Sequence, residues 1–202
     1  TYLNVALKTN ETTFYDQVYS NYTLLFHQDH QIYGLVSVTR LDSTLAKIKT
    51  DKSVYLDGVN TVTLFADDRP IAERKFFVEK DYKKVVTGLD RLQAENDSVT
   101  YELSLLRNDI PVEANLSVSV LTEDTKAYVE KQNLRSAFLL TSHLKGDVEN
   151  AAYYLNAQNP KRKEHVDLLL LTQGWSRYTL KEMIRELNPR PKFEFEHGFE
   201  LK

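Results

Sequence analysis

The sequence predicts a mainly β chain built of β-sandwich modules, with about three α-helices in its C-terminal half. Three observations carry this reading. Short runs of alternating apolar and polar residues recur from Tyr2 to Val120, polar turn clusters separate them, and 12 Tyr and 9 Phe in 202 residues supply the aromatics that pleated, half-buried strands favour. Two modules of roughly 80–120 residues suit this length.

From Tyr2 to Val78 the runs read as antiparallel strands. In residues 31–41 Ile32, Gly34, Val36 and Val38 fall on one side and Tyr33, Leu35, Ser37 and Thr39 on the other, a period of two. Residues 22–28 and 59–66 read the same way. His27 to Gln31 and Ala66 to Pro70 place turn-forming residues between strands. The charged stretch 79–84 marks a boundary. It divides the chain into a first sandwich over 1–80, a second over 81–192 with a helical insertion and a C-terminal helix, and 193–202 as lead-in to a following domain.

The second half opens with Val99, Tyr101, Leu103 and Leu105 on one strand face, and Leu116, Val118 and Val120 repeat the pattern over 113–123. Thereafter the period becomes helical. Leu134, Ala137, Phe138, Thr141 and Leu144 share a helix face, with Asn133 as N-cap and Gly146 just past the end. A second helix is expected from Asn159-Pro160 through Leu168–Leu171 to Gly174. A third, over 180–187, is announced by a Thr179/Glu182 capping box with a Tyr178/Met183 staple, and ends before Pro189.

Charge narrows the function classes. The net charge of −3 comes from 26 basic and 29 acidic residues spread along the chain, which argues against nucleic acid as a partner. The absence of Cys removes disulfides, thiolate nucleophiles and thiolate metal sites. No run approaches the ~18 apolar residues of a transmembrane helix. The first residues lack the basic and apolar regions of a signal peptide, so if the protein is exported its signal is expected outside this sequence.

The chemistry-bearing residues do not assemble into a motif. His27 and His30 flank a Gln-Asp pair in an expected turn, but no third metal ligand follows from spacing. His143 and His165 sit on expected helices without an i+4 ligand partner and read as surface histidines. His197 lies in the tail. Nucleophile-elbow, phosphate-loop, dinucleotide-binding and zinc-protease motifs are missing. Asp67/Asp68 and Glu194/Glu196 read as turn and solvated-edge carboxylates rather than an acid/base pair. Sequons at Asn10, Asn21, Asn96 and Asn115 read as chance occurrences. No catalytic, cofactor-binding or metal-binding residue is therefore assigned, and no cofactor is expected.

Residues 166–183, "VDLLLLTQGWSRYTLKEM", together with 136–155, "SAFLLTSHLKGDVENAAYYL", resemble large envelope proteins of Bacteroidetes-type bacteria. Those proteins contain macroglobulin-like β-sandwich domains, related in form to immunoglobulin-like ones. They often continue into carboxypeptidase-regulatory-like and TonB-dependent-receptor-plug-like regions. Residues 59–78, "VNTVTLFADDRPIAERKFFV", are similar to the closing hairpin of such a domain, and 193–202 to the lead-in to the next. The resemblance runs from about Gln31 onward, and its signature is Leu171, Thr172, Gln173, Gly174, Trp175, Arg177 and Tyr178. It implies an extracytoplasmic module, periplasmic or associated with the outer membrane. The partners it implies are neighbouring domains of the same polypeptide and other envelope proteins, with a link to TonB-dependent uptake. Thioester trapping is ruled out by the lack of Cys. On physical grounds the signature is structural: Leu168–Leu171 bury a helix, Gly174 ends it and Trp175 closes over the junction.

The expected function is thus a non-enzymatic structural or interaction module. A carbohydrate- or peptide-binding sandwich is the alternative, with Tyr153 and Tyr154 as stacking residues. A hydrolase with a non-standard carboxylate pair ranks third.

Overall fold

The chain is mainly β. The computed structural model describes residues 2–15, 19, 21–38, 44–80, 85–122, 124–125 and 131–173. The chain divides into two compact units, residues 1–79 with 130–202, and residues 80–129.

In the first unit β1 (Tyr2–Lys8) pairs antiparallel with β4 (Leu45–Asp51). Strands β2 (Tyr22–Gln28), β3 (Gln31–Val38), β5 (Gly58–Ala66) and β6 (Arg69–Val78) form an antiparallel sheet in the order β3-β2-β5-β6. The short helix α1 (Glu11–Tyr15) follows β1, with Asn10 Oδ1 accepting from Thr13 N–H. The two sheets close on one core, in which Leu24, Phe26, Val62, Phe76 and Val78 meet Leu3, Val5, Leu7 and Ile48. Tyr55 sits at its centre, fully buried, with its ring centroid 5.3–5.6 Å from those of Phe26, Tyr33 and Phe76. Its hydroxyl shares a 2.9 Å hydrogen bond with Thr50 Oγ1, so the buried polar atom is satisfied.

The turn chemistry follows the sequence. Asp67 and Asp68 join β5 to β6 with φ of +44° and +66°, the left-handed pair a two-residue hairpin demands. Asp67 Oδ1 also accepts from Asn21 N–H at 3.0 Å. Both carboxylates therefore belong to a turn. The strict alternation expected over 31–38 breaks at Tyr33. Phe26 pairs with Gly34 and His27 with Ile32, so Tyr33 is the extra residue of a bulge. The phase slips, Tyr33 turns toward Tyr55, and Ile32 stands exposed.

Three helices cover the other face of the four-stranded sheet: α2 (Leu134–Leu139), α3 (Ala151–Tyr154) and α4 (Arg162–Thr172). Leu140, Leu144, Val148, Ala151, Leu155, Val166, Leu169 and Leu170 share a core with Val59 of β5 and Phe77 of β6. The sequence reading had grouped these helices with the second module. They join the first because β5 is buried along most of its length and needs cover on both faces. Glu79, just after β6, ties them down by accepting from Arg135 (2.8 Å) and Arg162 (2.7 Å), and Arg74 pairs with Asp167 at 2.9 Å.

Asn133 caps α2 in a capping box with Ser136, whose hydroxyl accepts from Asn133 N–H and donates to Asn133 C=O. This box turns Ser136 inward with Leu140 and Leu144, while Leu134 and Phe138, on the expected apolar face of the helix, are exposed. The expected continuous helix also stops early and passes into a 3-10 turn, Thr141–His143. Ser142 Oγ donates to Phe138 C=O there, a side-chain bond that competes with the helical ladder. Gly146 has φ +89° beyond it.

Helix α4 begins two residues later than expected. Asn159 Oδ1 accepts from Lys161 N–H in a local turn, so Asn159 is not the N-cap. Of the four consecutive leucines, Leu169 and Leu170 are buried whereas Leu168 and Leu171 face solvent, because four successive helical residues sweep a full turn. The third helix and the signature residues Gly174, Trp175, Arg177 and Tyr178 lie outside the described residues, as do Glu194, Glu196, His197 and the tail.

The second unit is one antiparallel sheet of β7 (Val86–Glu95), β8 (Ser98–Arg107) and β9 (Ile110–Pro111). Asn96 (φ +51°), Asn108 (+53°) and Asp109 (+62°) make its turns. Among the described residues the strand expected over 113–123 does not form: residues 112–122 carry no regular structure, and Val118 and Val120 are 75% and 88% exposed. Val112 N–H still donates to Leu105 C=O, but among the described residues no strand pairs with 113–121. A second sandwich was expected here, whereas the described residues of this unit form a single sheet. No helix among the described residues is long and apolar enough to cross a membrane.

Candidate functional site

The densest polar chemistry lies on the helix-facing side of β2, β5 and β6. Alternation on β5 and β6 places Thr61, Thr63, Glu73 and Lys75 on the same face as Val59 and Phe77, which pack on the helical core. On β2 the same alternation turns His27 to this face, opposite Thr61 and away from Leu24 and Phe26, and the turn residue Asp29 (φ +47°) closes the β2–β3 hairpin next to it.

His27 is 3% exposed and fully engaged. Its Nε2 lies 3.1 Å from Thr63 Oγ1, and its Nδ1 lies 3.2 Å from the Asp29 carbonyl oxygen. A carbonyl only accepts, so Nδ1 carries the proton and donates, while Thr63 donates to Nε2. Burial pushes the imidazole below its usual range, and the hydrogen bond to Asp29 and the charge of Glu73 only partly oppose it. The neutral ring is the form the site holds.

Lys75, 5% exposed, donates from Nζ to Thr61 Oγ1 at 3.2 Å. Desolvation lowers its ammonium below the ordinary lysine value, against the raising effect of Glu73 and Asp29. Asp29 connects the sheet to the helices. Its Oδ2 lies 2.7 Å from His143 Nδ1, while His143 Nε2 donates to Phe138 C=O at 3.1 Å. Burial works to raise the Asp29 carboxyl, but the hydrogen bond and charge of His143, followed by Lys75 and His30, outweigh it and hold the group below the usual carboxylate range. Nearby, Gln28 Nε2 donates to both Asp57 and Val59 carbonyls, anchoring the loop that leads into β5.

Thr63, His27, Asp29 and His143 form one chain of contacts, and Lys75 with Thr61 forms a second pair beside it. What it does chemically is fix protonation and geometry, pinning the β2–β3 turn to the end of α2. Among the described residues no three His, Asp or Glu side chains are placed to hold a metal ion. Of the two turn histidines, His27 has both ring nitrogens engaged, by Thr63 and by Asp29.

The structure pairs residues that spacing leaves separate. His165, expected as a lone surface histidine, takes the Tyr153 hydroxyl on Nδ1 at 2.7 Å and stacks on the Tyr153 ring at 5.7 Å. Tyr154 stands edge-on to Tyr153, at 82°, and packs against the helical core. The two tyrosines therefore do not present one flat platform. Within the signature, Thr172 Oγ1 donates back to Leu168 C=O, and Gln173 N–H closes α4 on Leu169 C=O. These are helix-terminating roles. Lys75, Thr61 and Thr63 escaped the sequence reading, although a signal exists: Glu73 and Lys75 are in phase with Phe77 on a strand whose Phe faces the core.

Compared with protein-family models, with curated proteins and with solved structures, the chain finds no match.

Proposed function

We propose that this chain is a non-enzymatic structural and interaction module of a larger bacterial cell-envelope protein. In this reading it is periplasmic or attached to the outer membrane, and neighbouring domains of the same polypeptide, or other envelope proteins, pack on its sheets. The observation that carries the interaction role is the β7–β9 sheet. Leu89 pairs with Leu103, and Arg91 with Tyr101, so Leu89, Val99, Tyr101 and Leu103 share one face, and all four are exposed. An exposed face with four large apolar residues and Arg91 among them is the mark of a surface that a partner covers. Envelope placement and the link to TonB-dependent uptake rest on the sequence resemblance alone. The hydrogen bonds that tie His27 to Thr63, Asp29 to His143 and Lys75 to Thr61 support a structural role over a catalytic one. The saccharide-stacking alternative loses support, since the Tyr153 ring is taken up by His165.

The test is cross-linking mass spectrometry on the longer polypeptide in cells. The account expects cross-links from residues 86–107 to segments outside this chain, abolished by Leu89→Lys with Leu103→Lys while the first unit stays folded. Cross-links confined to the chain itself would sink the reading.

A further inference from the structure

The sandwich of the first unit is unequal, two strands against four. On the side of β1 away from β4 lies a groove of about 550 Å³. Every residue from Leu3 to Thr9 lines it, and β4 contributes none. Its floor is Val62 and Leu64 of β5 with Ile71 and Phe76 of β6, and Arg74, held in an ion pair by Asp167, lines its side. Ile71 is 46% exposed there, as the extra residue of a bulge between the Leu64–Ala72 and Phe65–Pro70 pairs. Among the described residues β1 pairs only with β4, so the N–H and C=O groups on its other edge face the groove.

We propose that this groove is a strand-acceptor site. It takes an extended peptide segment, apolar at every second residue with carboxylates between, as a third strand beside β1. Three features define the occupant. A seven-residue edge of main-chain donors and acceptors, about 23 Å long at ~3.3 Å per residue, matches a β-strand backbone rather than a small molecule or a helix. The apolar floor requires side chains of like character on the inward face, in phase with Leu3, Val5 and Leu7. The outward face is basic: Lys49 stands opposite Asn4 and Lys47 opposite Ala6, and Lys8 shares that side, with Asp51 only at the far end beside Tyr2. Carboxylates at the outward positions of an added strand lie next to Lys8 and about 10 Å, two strand spacings, from Lys47 and Lys49. This inference stands on the sandwich geometry and does not depend on the envelope reading.

The probe is a strand fused to the full chain. The sequence Glu-Val-Glu-Val-Glu-Val-Glu-Asn-Gly placed directly before Tyr2 makes a two-residue hairpin, with Val opposite Leu3, Val5 and Leu7 and Glu opposite Asn4, Ala6 and Lys8. A second fusion with Val and Glu interchanged keeps the tether but flips the faces. Amide exchange of residues 3–8 should slow by roughly tenfold or more in the first fusion and not in the second, and the transition midpoint should rise only in the first. Unchanged exchange in the first fusion, or equal slowing in both, overturns the proposal. So does a concentration-dependent dimer of the unmodified chain with β1 already protected, because the groove is then filled by a second copy.

Discussion

His143 Nδ1 and Asp29 Oδ2 lie 2.7 Å apart although 114 residues separate them, joining the turn of the β2–β3 hairpin to the segment after α2. Asp29→Asn should lower stability by about 1–2 kcal/mol, the range for a partly exposed hydrogen bond to a charged group. The sign with pH follows from the direction of the shift. A carboxyl held below 3.8 in the folded state contributes stability above that value and loses it as pH falls further. Urea melts at pH 6 and pH 3 should show wild type and Asp29→Asn converging at the lower pH.

His27 titrates with a different window. Burial depresses its folded value below 6.5, so the unfolded chain binds the proton first and stability falls as pH drops through 6.5. His27→Gln removes that proton and keeps an acceptor for Thr63. The loss of stability between pH 7.5 and pH 5.5 should be smaller in His27→Gln than in wild type, and equal losses would show that His27 titrates normally.

Gly58 and Gly34 offer a contrast within one sheet. Gly58 has φ +97°, and a Cβ there would stand 2.7 Å from the Leu139 carbonyl oxygen, whereas nothing lies within 4 Å of a Cβ at Gly34. Gly58→Ala should cost at least about 2 kcal/mol through backbone strain and a clash with α2. Gly34→Ala should stay within about 0.5 kcal/mol in the same chemical melts.

At the centre of the sandwich, Tyr55→Ala should cost about 3–5 kcal/mol, as for other large buried aromatics. Tyr55→Phe removes only the bond to Thr50 and should cost about 1 kcal/mol. A near-neutral Tyr55→Ala would mean that the two sheets do not share this core.

Much of the fold was legible because local rules govern it. The strands of the first unit, the Asp67-Asp68 turn and the Asn133 cap each depend on residues within a few positions of one another. The bulge at Tyr33 was not legible, since one extra residue shifts the phase without changing composition. The failed strand over 113–121 teaches the converse, because Leu116, Val118 and Val120 alternate well but have no described strand beside them. Which sheet the helices cover was also hidden, as Val59 and Phe77 look like ordinary strand residues until β5 is seen to be buried on both faces. The polar cluster was the least accessible part. Asp29–His143 and His27–Thr63 are tertiary pairs, and spacing alone had left both histidines as isolated turn or surface residues.

The most direct test of the interaction role is amide hydrogen exchange over β7 and β8, measured in the 202-residue chain and again in the longer polypeptide proposed to carry it. The account predicts that Leu89, Tyr101 and Leu103 exchange at least tenfold more slowly in the longer protein, where a partner covers their face. Identical exchange in both would contradict it.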